Sequence, residues 1–189
     1  MTHTKAFSTI SAKELYALID AEYSSRNEIF GIPQALFFKP AEYEGLKMEI
    51  FGQQLETPIG VAAGPHTQMA QNIISAWLCG ARYIELKTIQ TLDELEISKP
   101  CIDMQDEGYN CEWSQELRIE ESFNEYLKAW IIIHLLQHKL GLNHQQGRGF
   151  IFNMSIGYNF EGIQKANVQW FLKSMADCTK AKQEMVDEL

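Results

Sequence analysis

The chain has 189 residues, 46% hydrophobic and 22% charged, which suffices for one globular domain, whereas a complete eight-stranded α/β barrel typically needs about 250 residues. A formal net charge of -9, with no stripe of Lys and Arg, excludes a general binder of nucleic-acid phosphates. The longest apolar run, residues 129–133, is far below the roughly 18 residues of a membrane span, so we expect a cytoplasmic protein with no nucleic-acid or membrane partner.

The N-terminal part predicts a helix and then a hairpin. Ser11 and Glu14 form a capping-box pattern ahead of apolar residues at helical spacing, which indicates a helix of about three turns. The apolar residues between positions 29 and 38 predict packing in a lid or at the floor of a barrel. Alternation over residues 46–51, with a turn at 52–54, predicts a β-hairpin ahead of the first buried strand.

Residues 57–88 predict a strand, a helix and a second strand. The apolar segment 58–63 ends at a Gly-Pro turn, and residues 68–78 have apolar positions at helical spacing. The second strand ends on Lys87 and Thr88. Two strands joined by a helical crossover form a parallel βαβ unit, and such sheets bind ligands at the carboxyl ends of their strands. This pattern predicts the location of a site without naming its reaction.

The next part of the chain predicts a loop, a long helix and a third strand. The irregular residues 89–114 include aromatic and apolar side chains, so we expect an ordered loop over the ligand face. Residues 120–140 have helical spacing and Gly141 ends the helix. The apolar strand at 149–156 contains Asn153, whose polar group needs a hydrogen-bond partner, either a backbone group in the core or a ligand.

The C-terminal part predicts one more helix, at residues 163–176, and a charged segment, 177–189, that frays. A metal site is not expected. His134 and His138 are one helical turn apart, but the sequence HLLQH lacks the Glu of a zincin, which favours a partly buried His and a surface His. The four cysteines contain no CxxC pair, so neither an iron–sulfur cluster nor a structural zinc site is indicated.

Several ordered motifs resemble a known group of enzymes. The sequences TPIGVAAG at 57–64, ELKT at 85–88 and FNMSIGYN at 152–159 resemble the first half of the FMN-binding barrel of dihydroorotate and dihydropyrimidine dehydrogenases. The similarity is greater to proteins described as selenate reductase iron–sulfur flavoprotein subunits, in which AAGPHTQ, ELKT, KPCID and FIFNMS occur in this order. The resemblance covers about residues 29–164.

The resemblance implies an α/β fold comprising the first three or so βα units of a (β/α)8 TIM barrel, preceded by the N-terminal helix and hairpin. Residues 1–45 would hold the helix and an irregular segment, and residues 46–189 the partial FMN-type barrel, within a single domain overall.

The resemblance also implies which residues meet the flavin. The small residues after the first strand would let the ring approach the backbone, and Lys87 would stabilise negative charge on the reduced flavin. Asn153 would hydrogen-bond the ring, and Asn110 would contact substrate. The cofactor-binding residues implied in this way are Ala62, Ala63, Gly64, Lys87, Thr88 and Asn153.

Each of these assignments has a structural alternative. Lys87 could be a strand-end lysine that reaches solvent, and Asn110 could cap a turn. His66, beside the glycine turn, suits an acid or base, but a His at a helix N-terminus is more often a surface or capping residue.

The chain departs from the resembled families in what it lacks. Their general base and their FMN phosphate site follow later strands of the barrel, so we expect the base to lie beyond the chain end and FMN to bind the isolated chain weakly or not at all. We therefore expect a part of a longer protein, or a short protein completed by a partner chain or by a homo-oligomer.

Two functional hypotheses follow from the resemblance. In the first, the chain is the N-terminal part of an FMN-dependent oxidoreductase that transfers a hydride or electrons to or from a small-molecule substrate, and it is inactive alone. In the second, it is a catalytically inactive partial barrel that serves as an interaction subunit.

Overall fold

The computed structural model describes residues 9–89, 102–103, 110–111, 117–142, 147–154, 156 and 159–189. Its helices are α1 (Ala12–Arg26), α2 (Ala70–Leu78), α3 (Ile119–Lys139), α4 (Phe160–Ile163), α5 (Ala166–Ala176) and α6 (Thr179–Glu188). Its strands are β1 (Glu28–Ile29), β2 (Ile32–Pro33), β3 (Met48–Ile50), β4 (Gln53–Leu55), β5 (Gly60–Val61), β6 (Tyr83–Glu85), β7 (Ile102–Asp103), β8 (Asn110–Cys111) and β9 (Ile151–Asn153).

The central sheet contains three parallel strands in the order β5-β6-β9. Helix α2 connects β5 to β6, and α3 lies between β6 and β9 in the chain, so the sheet grows outward in sequence order. This is the strand order at the start of a (β/α)8 barrel. The fold is therefore a partial α/β barrel, as predicted, and the described strands do not close into a ring.

The helices cover one side of this sheet. Helix α3 packs against α1, α2, α5 and α6. Fully buried apolar side chains from the sheet and the helices form one core, which includes Ile84 of β6, Ile73 and Trp77 of α2, and Ile132 of α3. The apolar positions that predicted α2 are therefore the ones that pack beneath the sheet.

The N-terminal helix and the hairpin form as predicted. The Ser11 hydroxyl accepts a hydrogen bond from the Glu14 N–H at 3.1 Å, and the Glu14 carboxylate accepts one from the Ser11 N–H at 3.0 Å. Strands β3 and β4 pair antiparallel. The hairpin turn lies at Phe51 and Gly52, both with positive φ, one residue earlier than the predicted 52–54, because residues 53 and 54 already belong to β4.

A buried arginine lies at the amino end of the sheet. Arg82, which precedes β6, pairs with Glu56, and its guanidinium lies 5.0 Å from the ring centre of Phe38 and 4.9 Å from that of Trp77. Burial lowers the pKa of Arg82, and the Glu56 carboxylate opposes that shift. Phe38, from the apolar segment 29–38, thus packs at the amino end of the sheet, although Leu36 of the same segment is 67% exposed.

Two C-terminal predictions need correction. The helix expected at 163–176 forms as α5 but begins three residues later, after the separate short helix α4, and the segment expected to fray forms helix α6. Ala181, Met185 and Leu189 recur every four residues and pack against the core, which gives this charged segment an apolar stripe.

Most of the loop expected at 89–114 lies outside the described residues. The part that is described includes β7 and β8, which pair antiparallel.

Among the helices of the described ranges, none is both long and apolar enough to cross a membrane. The long helix α3 matches its predicted extent, and Gly141 follows it with a φ of 62°.

Candidate functional site

The segments implied to bind a flavin lie at the carboxyl edge of the central sheet. Residues 62–64 follow β5 directly, and Lys87 lies just beyond Glu85, the last residue of β6. Asn153 ends β9 and is the register partner of Glu85. Because parallel strands end on the same side of a sheet, the structure brings these segments together with Thr88. Their roles in binding stay predictions.

The side of the sheet away from the helices carries small and polar groups at this edge. Side chains alternate between the two faces of a strand, and Ile84 is buried on the helix side. Its neighbours Tyr83 and Glu85 therefore belong to the opposite face, together with Gly60, the register partner of Tyr83. On that face Gly60 is exposed and Glu85 is half-buried. This face thus carries bare backbone at Gly60 beside Tyr83, and a carboxylate at the carboxyl end of β6.

The turn after β5 is held by its own hydrogen bonds. The Gly64 N–H donates to the Thr67 hydroxyl at 3.1 Å, and the His66 Nε2 lies 2.9 Å from the Ala62 carbonyl oxygen. A Cβ added to Gly64 would lie 2.6 Å from His66 Cε1. The His66 ring therefore packs over the turn, and Ala62 and Ala63 remain exposed next to it.

The backbone N–H and carbonyl of Lys87 each make a hydrogen bond. Its N–H donates to the Thr67 carbonyl at 3.4 Å, and its carbonyl accepts the Tyr126 hydroxyl at 2.8 Å. Tyr126 is 1% exposed, and burial raises the pKa of its phenol. Lys87 itself is 9% exposed, so it is not a strand-end lysine that extends into solvent.

Helix α3 supports the site through a second buried contact that the sequence analysis did not find. The Glu125 carboxylate accepts the Ala70 N–H, at the start of α2, at 2.7 Å. Its other oxygen pairs with Lys128, whose ammonium also donates to the Ile10 carbonyl at 2.5 Å. The available signal was a Glu and a Lys three residues apart, next to apolar residues of α3.

The remaining candidates lie elsewhere. His134 is half-buried, with its ring centre 5.0 Å from that of Trp130 and 5.4 Å from that of Phe150, and burial lowers its pKa. His138 is exposed. The described ranges contain no group of three or more His, Cys, Asp or Glu that could hold a metal ion. Asn110 lies in β8, with its side chain outside the described part, so its substrate role stays a prediction.

Comparisons with known proteins relate this sheet to an oxidoreductase domain. Residues 30–188 match the family described as oxidoreductase YgfK, N-terminal TIM-barrel domain. Two proteins whose names class them as the oxidoreductase YgfK, from Escherichia coli strain K12 and from E. coli O157:H7, are each 48% identical to it over 170 residues. The alignments cover 90% of this chain but 16% of each relative, so the chain spans about a sixth of their length. No solved structure matches it.

Proposed function

The chain belongs to the family of oxidoreductase YgfK N-terminal TIM-barrel domains, and from this premise we propose that the carboxyl edge of its sheet binds FMN. The parent enzyme would be an oxidoreductase of the dihydropyrimidine or dihydroorotate dehydrogenase type, similar to the selenate reductase flavoprotein subunits. The observation that carries the proposal is the convergence of the turn at residues 62–64, in which Ala62 and Ala63 are exposed, with Lys87 and Asn153 at one edge.

The residues at this edge suit a planar, hydrogen-bonding ring. Ala62 and Ala63 are exposed and have minimal side chains, so a ring could approach their backbone closely. Asn153 offers both a donor and an acceptor, and the ammonium of Lys87 offers donors. Gln68, which follows the turn, is buried, and its Oε1 has no hydrogen-bond partner among the residues that the structure describes. This set fits the mixed donors and acceptors of an isoalloxazine better than it fits a metal ion.

The roles of the two side chains follow from their chemistry. When bound, FMN would supply the transfer of a hydride or electrons between an oxidised acceptor or pyrimidine-like substrate and the enzyme. The Lys87 ammonium would favour additional negative charge on the flavin ring, and the low solvent exposure of Lys87 would strengthen that interaction. Asn153 would orient the ring from the adjacent strand.

The proposal is tested by removing the ammonium of Lys87 by substitution in the full-length protein that the gene encodes, here called the intact gene product. Lys87→Met keeps the aliphatic stem and Lys87→Ala removes it, and each variant is titrated with FMN while visible absorbance and flavin fluorescence are recorded. Charge-assisted hydrogen bonds contribute about 1.5–3 kcal/mol, so we expect about ten- to hundredfold weaker binding. Lys173→Ala, on an exposed position of α5, serves as the control and should bind FMN as the unmodified protein does.

Unchanged affinity in both folded Lys87 variants would contradict the proposal. Absence of FMN binding in the unmodified protein with its barrel completed, rather than in the isolated 189-residue chain, would favour the second hypothesis, a catalytically inactive interaction subunit. Circular dichroism of each variant shows whether a loss of binding follows from misfolding.

A further inference from the structure

Glu85 has no role in the assignments above, although it lies between the segments of the proposed site. It is the last residue of β6, and its register partner is Asn153. Its Oε2 accepts the Ala63 N–H at 3.3 Å. The side chain is half-buried on the face of the sheet away from the helices.

The contact with Ala63 extends the sheet where its backbone ladder stops. The pairing of β5 with β6 ends at Val61 and Ile84. The other hydrogen bonds of the turn described above join residues three or four positions apart, whereas the bond from Ala63 to Glu85 spans 22 positions. A side-chain carboxylate therefore replaces the next backbone acceptor and ties the turn to the neighbouring strand.

We propose that Glu85 is a positioning residue that holds the turn at residues 62–64 against β6 and sets the charge beside Lys87. The inference rests on the proposed function, because the turn and Lys87 are the groups expected to meet the flavin. Glu85 ends β6 and Lys87 follows it by two residues, so a carboxylate and an ammonium both belong to the carboxyl edge of the sheet. The carboxylate disfavours additional negative charge on a bound ring, and the ammonium favours it.

The two contributions of Glu85 are separable by substitution. Glu85→Gln keeps an oxygen that can accept the Ala63 N–H but removes the charge, whereas Glu85→Ala removes both. Glu49→Ala, which removes an exposed carboxylate from β3, is the matched control.

The first measurement needs no flavin. Hydrogen exchange of peptides covering the turn is followed by mass spectrometry in the intact gene product. A hydrogen bond contributes about 0.5–1.5 kcal/mol, so the Ala63 amide should exchange roughly three- to tenfold faster in Glu85→Ala. Glu85→Gln and Glu49→Ala should exchange like the unmodified protein. Unchanged exchange in Glu85→Ala would overturn the inference whatever the flavin does.

The second measurement uses the FMN-loaded protein. FMN affinity should fall roughly three- to tenfold in Glu85→Ala and stay near the original value in Glu85→Gln. The reduction potential should rise in both variants, since both lack the carboxylate, and fall in Lys87→Met. Altered affinity in Lys87→Met with unaltered affinity and potential in both Glu85 variants would overturn the inference alone. Unaltered FMN affinity and reduction potential in Glu85→Ala, Glu85→Gln and Lys87→Met would overturn both this inference and the proposed function.

Discussion

At the residue scale, Tyr126 sets the position of the Lys87 backbone. Its hydroxyl donates to the Lys87 carbonyl at 2.8 Å, and its ring lies 6.3 Å from that of Phe171 in an edge-to-face contact. Tyr126→Phe retains the ring and leaves a buried carbonyl without this donor, so the free energy of unfolding should fall by about 1–2 kcal/mol. Urea unfolding followed by circular dichroism measures the change.

Tyr43→Phe is the matched control for that prediction. Tyr43 is 48% exposed, and removal of its hydroxyl should change the free energy of unfolding by less than about 0.5 kcal/mol. Equal decreases in the free energy of unfolding of Tyr126→Phe and Tyr43→Phe would show that the buried hydrogen bond to Lys87 contributes no more to stability than a surface hydroxyl does.

At the residue scale the sequence located two of the candidate side chains, and their roles in binding stay predictions. The sequence placed Lys87 at the end of one apolar strand and Asn153 within another, and the structure has both at the carboxyl edge, where Asn153 is the last residue of β9. Glu85, Tyr126 and Glu125 were missed because they act on backbone groups 22, 39 and 55 positions away in the sequence. Local periodicity carries no information about such distant partners.

At the element scale, the sequence predicted long helices better than strand lengths. Helices α1 and α3 carry their own signals, a capping box and a sustained apolar stripe. Strand β5 spans two residues, although six apolar positions at 58–63 predicted it, because a strand extends only as far as its neighbour pairs with it. In the described ranges β5 has that neighbour in β6.

Helix α6 shows why a charged segment need not fray. Met185 is half-buried and packs against the core, whereas the adjacent Val186 is 45% exposed. Met185→Ala should lower the free energy of unfolding by about 1–2 kcal/mol and increase proteolysis near the C-terminus, because it removes part of the stripe that holds the helix.

Val186→Ala provides the comparison for Met185→Ala. It should change stability by less than about 0.5 kcal/mol, because its side chain is exposed and alanine favours the helix. Equally rapid proteolysis of the two variants would show that α6 is not held by its apolar stripe.

At the scale of the whole molecule, the three-stranded sheet represents only the start of a barrel. In the part of the chain that the structure describes, the sheet consists of β5, β6 and β9 with β6 in the middle. The chain covers 16% of the length of the E. coli relatives. We therefore expect the proposed site to be one side of a larger cleft, in which the ring would contact this chain and other groups would bind the rest of FMN.

This division leads to a prediction about which part of FMN the chain recognises. In barrel enzymes the phosphate is frequently bound by loops after the last strands, and the formal net charge of -9 gives this chain no general attraction for phosphate. We expect the 189-residue chain to bind FMN and riboflavin, which lacks the phosphate, with affinities within about threefold of each other, and both weakly.

Full-length YgfK from E. coli, which is 48% identical over the shared region, supplies the comparison. It should bind FMN at least about a hundredfold more tightly than riboflavin, because charge-assisted bonds to a phosphate contribute several kcal/mol together. Fluorescence titration of both proteins with both ligands gives the four dissociation constants. Tight stoichiometric FMN in the 189-residue chain, or a strong preference for FMN over riboflavin, would show that the phosphate is bound by residues of this chain and would contradict the division of the site.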